Sequence, residues 1–137
     1  QVLSYQGFES IMRFVYTADE RQLFKTVDER HSAEEKVYVL LQIMNQAHDV
    51  GMGGARRMCA NKLATTVGLL DVSTVLHVYE ASVECGEDRL GMRCFSWCLE
   101  NWMPLLRSWS QEDVGPNTRK LVGCVRKFLV AEIVSGE

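Results

Sequence analysis

Apolar residues recur at helical spacing along most of this chain. The first stripe consists of Phe8, Ile11, Met12 and Val15. Positions i, i+3, i+4 and i+7 lie on one face of a helix, so the spacing predicts a short helix over residues 7–17. Residues 18–32 are mostly polar and charged, and they predict a long surface connection after that helix.

Five further helices are predicted downstream, each from its own apolar stripe. The stripes run through Val37 to His48, Ala55 to Leu63, Val75 to Val83, Leu90 to Trp102 and Leu121 to Ile133, with Phe128 on the inward face of the last. Ser32 with Glu35 forms a capping-box pattern, and Ser73 and Asn117 are predicted N-caps. Gly51 and Pro104 are expected to end helices. The pattern predicts a mainly α fold of about six helices with little or no strand.

Composition narrows the choice of partners. The chain has 137 residues, of which 47% are hydrophobic, and a formal net charge of −3. This balance argues against general affinity for nucleic acid or for acidic membranes. The longest apolar run, Val37–Leu41, is far shorter than the roughly 20 residues that a membrane helix needs. No targeting segment is recognised in residues 1–20. We therefore expect neither a nucleic-acid nor a membrane partner.

The cysteines indicate a reducing compartment. They are Cys59, Cys85, Cys94, Cys98 and Cys124. An odd number scattered through apolar segments is typical of reduced thiols inside a cell. Cys94 and Cys98 have the i, i+4 spacing of two metal ligands, with Cys85 and His77 as the nearest candidates for the others. Burial as small apolar side chains is the favoured interpretation, so neither a metal nor a cofactor is predicted.

Catalytic patterns are weak. The histidines, His31, His48 and His77, are far apart and have no nucleophile motif beside them. Gly51-Met52-Gly53-Gly54 precedes a predicted helix, but it lacks the Lys-Ser/Thr of a phosphate loop and fits a helix break better. The last helix is basic, and a solvated face explains this better than DNA contact. Of the tryptophans, Trp97, Trp102 and Trp109, one could anchor a partner. We predict that the chain is not an enzyme.

Three blocks of the sequence resemble the BTB/POZ family in the family's order. Residues 7–20, from Gly7-Phe8-Glu9 through Tyr16-Thr17-Ala18, are similar to the helix and turn in that domain. Residues 40–63, with Ala47-His48 and Cys59, resemble the helix pair that follows. Residues 70–102 resemble the helix pair that opens the BACK domain. Ala18 stands where the family usually has Gly, which a type I turn tolerates.

The resemblance implies a division of the chain and also leaves a gap. Residues 1–66 would be the C-terminal part of a BTB/POZ domain, and residues 67–137 a BACK-like helical region. The family's first half, which carries a dimerising helix and a hydrophobic-x-Glu loop for gripping a cullin, has no counterpart here. The count of residues thus fits half of one domain joined to the start of the next. We expect helix 7–17 to have an apolar face that this chain does not cover.

By resemblance, the chain is a protein interaction module and a substrate adaptor of a cullin-3 RING ubiquitin ligase. Its partners would be a cullin-3 type scaffold, a substrate or another BTB protein, with a homodimer left open, in the cytoplasm or nucleus. The helix pair 73–102 would present a hydrophobic cleft. Helical phase selects its candidate residues, which are Leu76, Tyr79, Leu90, Cys94 and Trp97. The alternatives are a BTB-type oligomerisation or scaffold module without ligase role, and an unrelated helical interaction domain.

Overall fold

The structure, a computed structural model, describes Phe24, residues 32–108 and residues 115–135. These residues form six α-helices and one 3-10 turn and contain no strand, which confirms the prediction of a mainly α fold. The helices are α1 (Ala33–Asp49), α2 (Gly53–Thr66), α3 (Val72–Glu84), α4 (Asp88–Glu100), α5 (Trp102–Ser108) and α6 (Pro116–Ser135), with the 3-10 turn Val67–Leu69 after α2. The predicted helix over 7–17 and Trp109 lie outside the described residues.

The start and end of α1 are those that the sequence predicts. The Glu35 backbone N–H donates to Ser32 Oγ, and the Ser32 backbone N–H donates to Glu35 Oε1, both over 3.2 Å. This reciprocal pair is a capping box. After α1, Gly51 adopts a φ of +78°, a conformation that glycine reaches without steric cost. The chain therefore turns at Gly51 and begins α2 two residues later.

Two predicted N-caps were wrong, because each helix begins earlier than predicted. Asp71, not Ser73, caps α3, because its carboxylate accepts the Thr74 backbone N–H over 2.9 Å. Hydrogen bonds from Thr74 hold the pKa of Asp71 below its usual value. The last helix begins at Pro116 and places Asn117 inside its first turn. Proline suits that position because its fixed φ is helical and its missing N–H needs no partner there.

Pro104 does not act as the predicted helix end. Helix α4 already ends at Glu100, and α5 begins at Trp102 with Pro104 in its first turn. The first-turn N–H groups of a helix have no intrahelical acceptor, so proline is tolerated there. Asn101 lies between the two helices, and its side-chain amide donates to the Trp97 carbonyl oxygen over 2.9 Å. A single residue, Asn101, thus separates α4 from α5.

A single apolar core joins the helices. The largest fully buried side chains are Leu40, Ile43, Met44, Leu63, Leu90 and Leu105. Helix α1 packs against α2 and α3, α2 packs against α4, and α6 lies across α3 and α4. Phe24 packs on this core, with the Lys62 ammonium 5.1 Å from its ring centre. The core is continuous across the predicted division at residues 66 and 67, and that division stays a prediction.

Two predicted inward positions are exposed. Phe128 of α6 is 45% exposed, and Val83 of α3 is also exposed, whereas Val122 is buried although the predicted stripe left it out. The reason is that α6 contacts α3 and α4 mainly through its first half, so its second half has an apolar face without a neighbouring helix among the described residues. None of the described helices is apolar over a length that would cross a bilayer.

Candidate protein interaction surfaces

The five predicted site residues lie together on the α3–α4 hairpin. Leu76, Leu90, Cys94 and Trp97 are buried in the core, and Tyr79 is half-buried and packs against it. A buried side chain supports the shape of a surface but offers no area to a partner. Of the five, Tyr79 lines the open groove that the described residues form between the α3–α4 hairpin and α6. That these residues contact a partner stays a prediction, and the groove beside Tyr79 is where a partner would meet the hairpin.

This hairpin groove lies between the α3–α4 hairpin and α6 and encloses about 430 Å³. Its lining residues are Tyr79, Ser82, Val83, Glu87, Asp88, Gly91, Met92, Phe95, Lys120, Leu121 and Cys124. Met92 is 63% exposed and, with Val83, forms an apolar rim. Asp88 and Lys120 place opposite charges at the same groove. The combination of an apolar rim and a few polar groups is typical of a surface that binds another protein.

Tyr79 supplies a polar tip inside the hairpin groove. Burial raises the pKa of its hydroxyl, and the neighbouring Cys124 thiol adds to the rise. The hydroxyl is therefore neutral at physiological pH and able both to donate and to accept a hydrogen bond. Gly91 faces it from α4, where an added Cβ would come within 3.2 Å of Ser82 Oγ. The absence of a side chain at Gly91 thus keeps α3 and α4 close along the floor of the groove.

A second depression, the lateral groove, runs between α5 and α6 and encloses about 540 Å³. Its lining residues are Trp102, Leu105, Val122, Val125, Arg126, Leu129, Val130 and Glu132. Leu105, Val122 and Val125 are buried at its floor, while Trp102 and Val130 are exposed at its edges. The sequence pattern missed this groove because it depends on α5, the helix that Pro104 was expected to prevent.

Helix α6 forms one wall of both grooves, and Glu80 of α3 fixes its first turn. Glu80 Oε1 lies 3.4 Å from both the backbone nitrogen and the Oγ1 of Thr118. Thr118 is buried, so water does not replace this acceptor. A carboxylate at a helix N-terminus also interacts favourably with the helix dipole. Glu80 therefore positions α6 against the hairpin and maintains the shape of both grooves.

Replacement of Gly115 by alanine should displace the Glu80 carboxylate, because a Cβ at residue 115 would overlap Glu80 Oε1. The displaced carboxylate would leave the Thr118 N–H without its acceptor, and an unsatisfied buried donor costs about 1–3 kcal/mol. We expect Gly115→Ala to lower the free energy of unfolding in urea by about that amount. Gly123→Ala is the matched control, since its Cβ would meet open space within α6 and should stabilise the helix by about 0.5–1 kcal/mol. Equal effects of the two substitutions would contradict this role of Gly115.

Cys94 and Cys98, which have the i, i+4 spacing of two metal ligands, are core residues. Burial raises the pKa of Cys94 to about 12 and that of Cys98 to about 11, so both remain protonated thiols and weak metal ligands. His77 is exposed, with its Nδ1 2.8 Å from the Ser73 carbonyl oxygen. Within the described residues, no group of three or more histidine, cysteine or acidic side chains could hold a metal ion. Cys124 is the exposed cysteine.

The glycine segment before α2 has the geometry of a helix break. Arg56 and Arg57, which follow it, each direct the guanidinium Nε to a different carboxylate oxygen of Glu87, in both cases over 2.7 Å. Glu87 is buried, and the two guanidinium groups compensate its negative charge. The arginines that could have supported phosphate binding therefore connect α2 to the start of α4.

The surfaces best suited to function in the described residues are thus two grooves that share α6. One has a mixed lining on the α3–α4 hairpin, and the other is apolar and is flanked by charge. No family model, curated protein or solved structure matches this chain.

Proposed function

We propose that the chain is a protein interaction module that acts as a substrate adaptor of a cullin-3 RING ubiquitin ligase, as its resemblance to the BTB/POZ family implies. The observation that supports this proposal is the open hairpin groove on α3 and α4. This helix pair is the one that the resemblance assigns to contact with the cullin's N-terminal extension. The role is not catalytic: the groove holds the scaffold while another part of the adaptor holds the substrate, in the cytoplasm or nucleus.

The physical basis for binding is a rigid hairpin with an apolar rim. Leu90 and Cys94 of α4 are buried in the core and hold the hairpin in place, so the surface changes little when a partner arrives, and little ordering entropy is lost. Met92 presents a flexible thioether that adapts to an apolar side chain of the partner. Tyr79 combines apolar area with a hydroxyl that finds a hydrogen-bond partner when it is covered. These features favour an extended or helical segment of the scaffold as occupant.

Calorimetry with purified cullin-3 N-terminal domain tests the adaptor role. The complete domain containing this chain should bind with a dissociation constant in the micromolar range or below. Met92→Glu places a charge on the groove rim, and we expect it to weaken binding by at least about tenfold, a change of ~1.4 kcal/mol. Met103→Glu is the matched control, because Met103 is also exposed but lines neither groove. Absence of binding by the complete domain at micromolar concentration would refute the adaptor role.

A scaffold or oligomerisation module without ligase function is the second candidate. It is favoured by Val130 and Val134, two exposed apolar side chains that lie one turn apart on α6 and away from the hairpin groove. Exposed apolar side chains that cluster on one face indicate association with other proteins. This candidate would be favoured over the adaptor if the protein self-associates in light scattering and does not bind the cullin.

A further inference from the structure

The lateral groove is an apolar surface that the proposed cullin contact does not use. Trp102 is 37% exposed and Val130 is 60% exposed, and they stand on its two walls above a buried apolar floor. Aromatic residues at the edge of an apolar depression are frequent binding hot spots, tryptophan above all. The hairpin groove shares α6 with the lateral groove but none of its lining residues. The two surfaces could therefore be occupied at the same time.

The charge around the lateral groove is positive on balance, because Arg126 and the adjacent Lys127 outnumber Glu132, which also lines the groove. Helix α6 carries Arg119, Lys120, Arg126 and Lys127 against the single acid Glu132. Arg126 lines the groove, and Lys127 is the next residue along the helix. In the part of the chain that the structure describes, neither Arg126 nor Lys127 makes a salt bridge. A partner with carboxylates beside its apolar face would therefore be attracted to this surface and oriented on it.

The shape of the groove selects a helix as occupant. The α6 lining extends from Val122 to Glu132, which at 1.5 Å per residue is about 15 Å, or roughly three helical turns. An amphipathic helix places apolar side chains at i, i+3 or i+4 and i+7 over such a length, and it binds in this way between two helices of its receptor. The described residues contain no strand whose edge could pair with an extended peptide. A bilayer surface would need a protruding apolar face, whereas Val122 and Val125 lie at the bottom of a depression.

We propose that the lateral groove binds an acidic amphipathic α-helix of another protein. The apolar face of that helix fills the space between Trp102 and Val130, and a carboxylate on its flank pairs with Arg126 and Lys127. This interaction goes beyond the cullin contact, because it uses a different surface. It holds whether or not the hairpin groove binds a cullin.

Two synthetic helices of 18 residues serve as probes. Both carry leucines at i, i+4, i+7 and i+11 and a fluorescein label, and they differ only in having glutamates or lysines at the flanking positions. Fluorescence anisotropy with the full 137-residue chain should show saturable binding of the glutamate helix. The lysine helix should bind on the order of tenfold more weakly, because like charges meet at Arg126. Arg126→Glu should reverse the preference between the two helices.

Substitutions on the exposed part of α6 locate the binding site without disturbing the core. Val130→Glu places a charge in the groove wall and should weaken binding of the glutamate helix by about tenfold or more. Val134→Glu is the matched control, since Val134 is equally exposed on the same helix but does not line the groove, and it should bind as the wild type does. Circular dichroism spectra of both variants should match that of the wild type.

Several results would overturn the proposal. The proposal is wrong if neither probe binds below millimolar concentration, or if Val134→Glu loses as much affinity as Val130→Glu. The groove would be assigned to a membrane surface if the chain binds no probe but sediments with vesicles of phosphatidylserine and phosphatidylcholine, and if Val130→Glu abolishes that sedimentation. The groove would be assigned to a second copy of the chain if the chain binds no probe but dimerises with rising concentration in light scattering, and if Val130→Glu abolishes the dimer. If the wild-type protein binds the glutamate helix but no cullin, only the adaptor role is refuted.

Discussion

Replacement of Leu90 by alanine should lower the free energy of unfolding by about 2–5 kcal/mol, the range for large-to-small substitutions in a packed core. Leu90 lies on α4 and is among the largest fully buried side chains of the described residues. The cavity left by its missing methyl groups would lie where α3 and α4 meet the rest of the core, and rigid helices collapse into such a space only partly. Chemical denaturation monitored by circular dichroism measures the loss directly.

Met92→Ala is the control for this experiment. Met92 lies two residues further along α4 but is largely exposed at the rim of the hairpin groove, so its truncation should change stability by no more than about 0.5 kcal/mol. If Leu90→Ala unfolded with a free energy within ~1 kcal/mol of the wild type, Leu90 would not be the core residue that the structure shows. If Leu90→Ala lost partner binding without losing stability, Leu90 would be a contact residue.

The comparison of Leu90 with Met92 shows what helical phase can and cannot predict. The spacing of Leu90, Cys94 and Trp97 correctly predicted one apolar face of a helix, and all three are buried. Phase gives the direction of a face relative to the helix axis but does not identify what covers it. These three side chains pack in the protein's own core, and their contact with a partner stays a prediction. Met92, which the apolar stripe excluded, forms part of the open rim.

Local signals predicted local structure well. The capping box at Ser32 and the positive φ of Gly51 depend on residues within four positions of each other, so the sequence contains all the information they need. The prediction of Ser73 as the cap of α3 was wrong because Asp71, two residues earlier, is also a good N-cap type and is the residue that is used. Their order along the chain does not show which of them is used.

Contacts between distant residues could not be predicted in this way. Glu80 and Thr118 are 38 positions apart, and Arg56 and Glu87 are 31 positions apart. Each pair forms only after helices have packed, and a single sequence contains no period that connects them. The lateral groove adds a further condition, because it needs α5 to resume the helix through Pro104. The fold class was therefore predictable, whereas the residues that line the two grooves had to be found in the structure.

Replacement of Arg56 by methionine should destabilise the protein by about 2 kcal/mol or more, since it removes a cation from a buried carboxylate. Glu87 is 2% exposed, and its Oε2 lies 2.7 Å from Arg56 Nε. Without Arg56 that oxygen keeps neither the charge nor the hydrogen bond that offset its burial. The second arginine, Arg57, contacts the other carboxylate oxygen and compensates only part of the loss. Urea denaturation at neutral pH measures the difference.

Arg57→Met is the matched control, because it removes an ion pair of the same length from the same carboxylate. The Arg57 side chain is 57% exposed against 25% for Arg56, and exposed ion pairs contribute about 1 kcal/mol or less. A third variant separates the cost of an unpaired charge from the value of the pair. Arg56→Met combined with Glu87→Leu removes both charges, and replacement of a buried pair by apolar groups is often nearly neutral. The double variant should therefore be more stable than Arg56→Met alone. If the double variant is the less stable of the two, the pair itself stabilises the joint between α2 and α4, and desolvation of Glu87 is not the dominant cost.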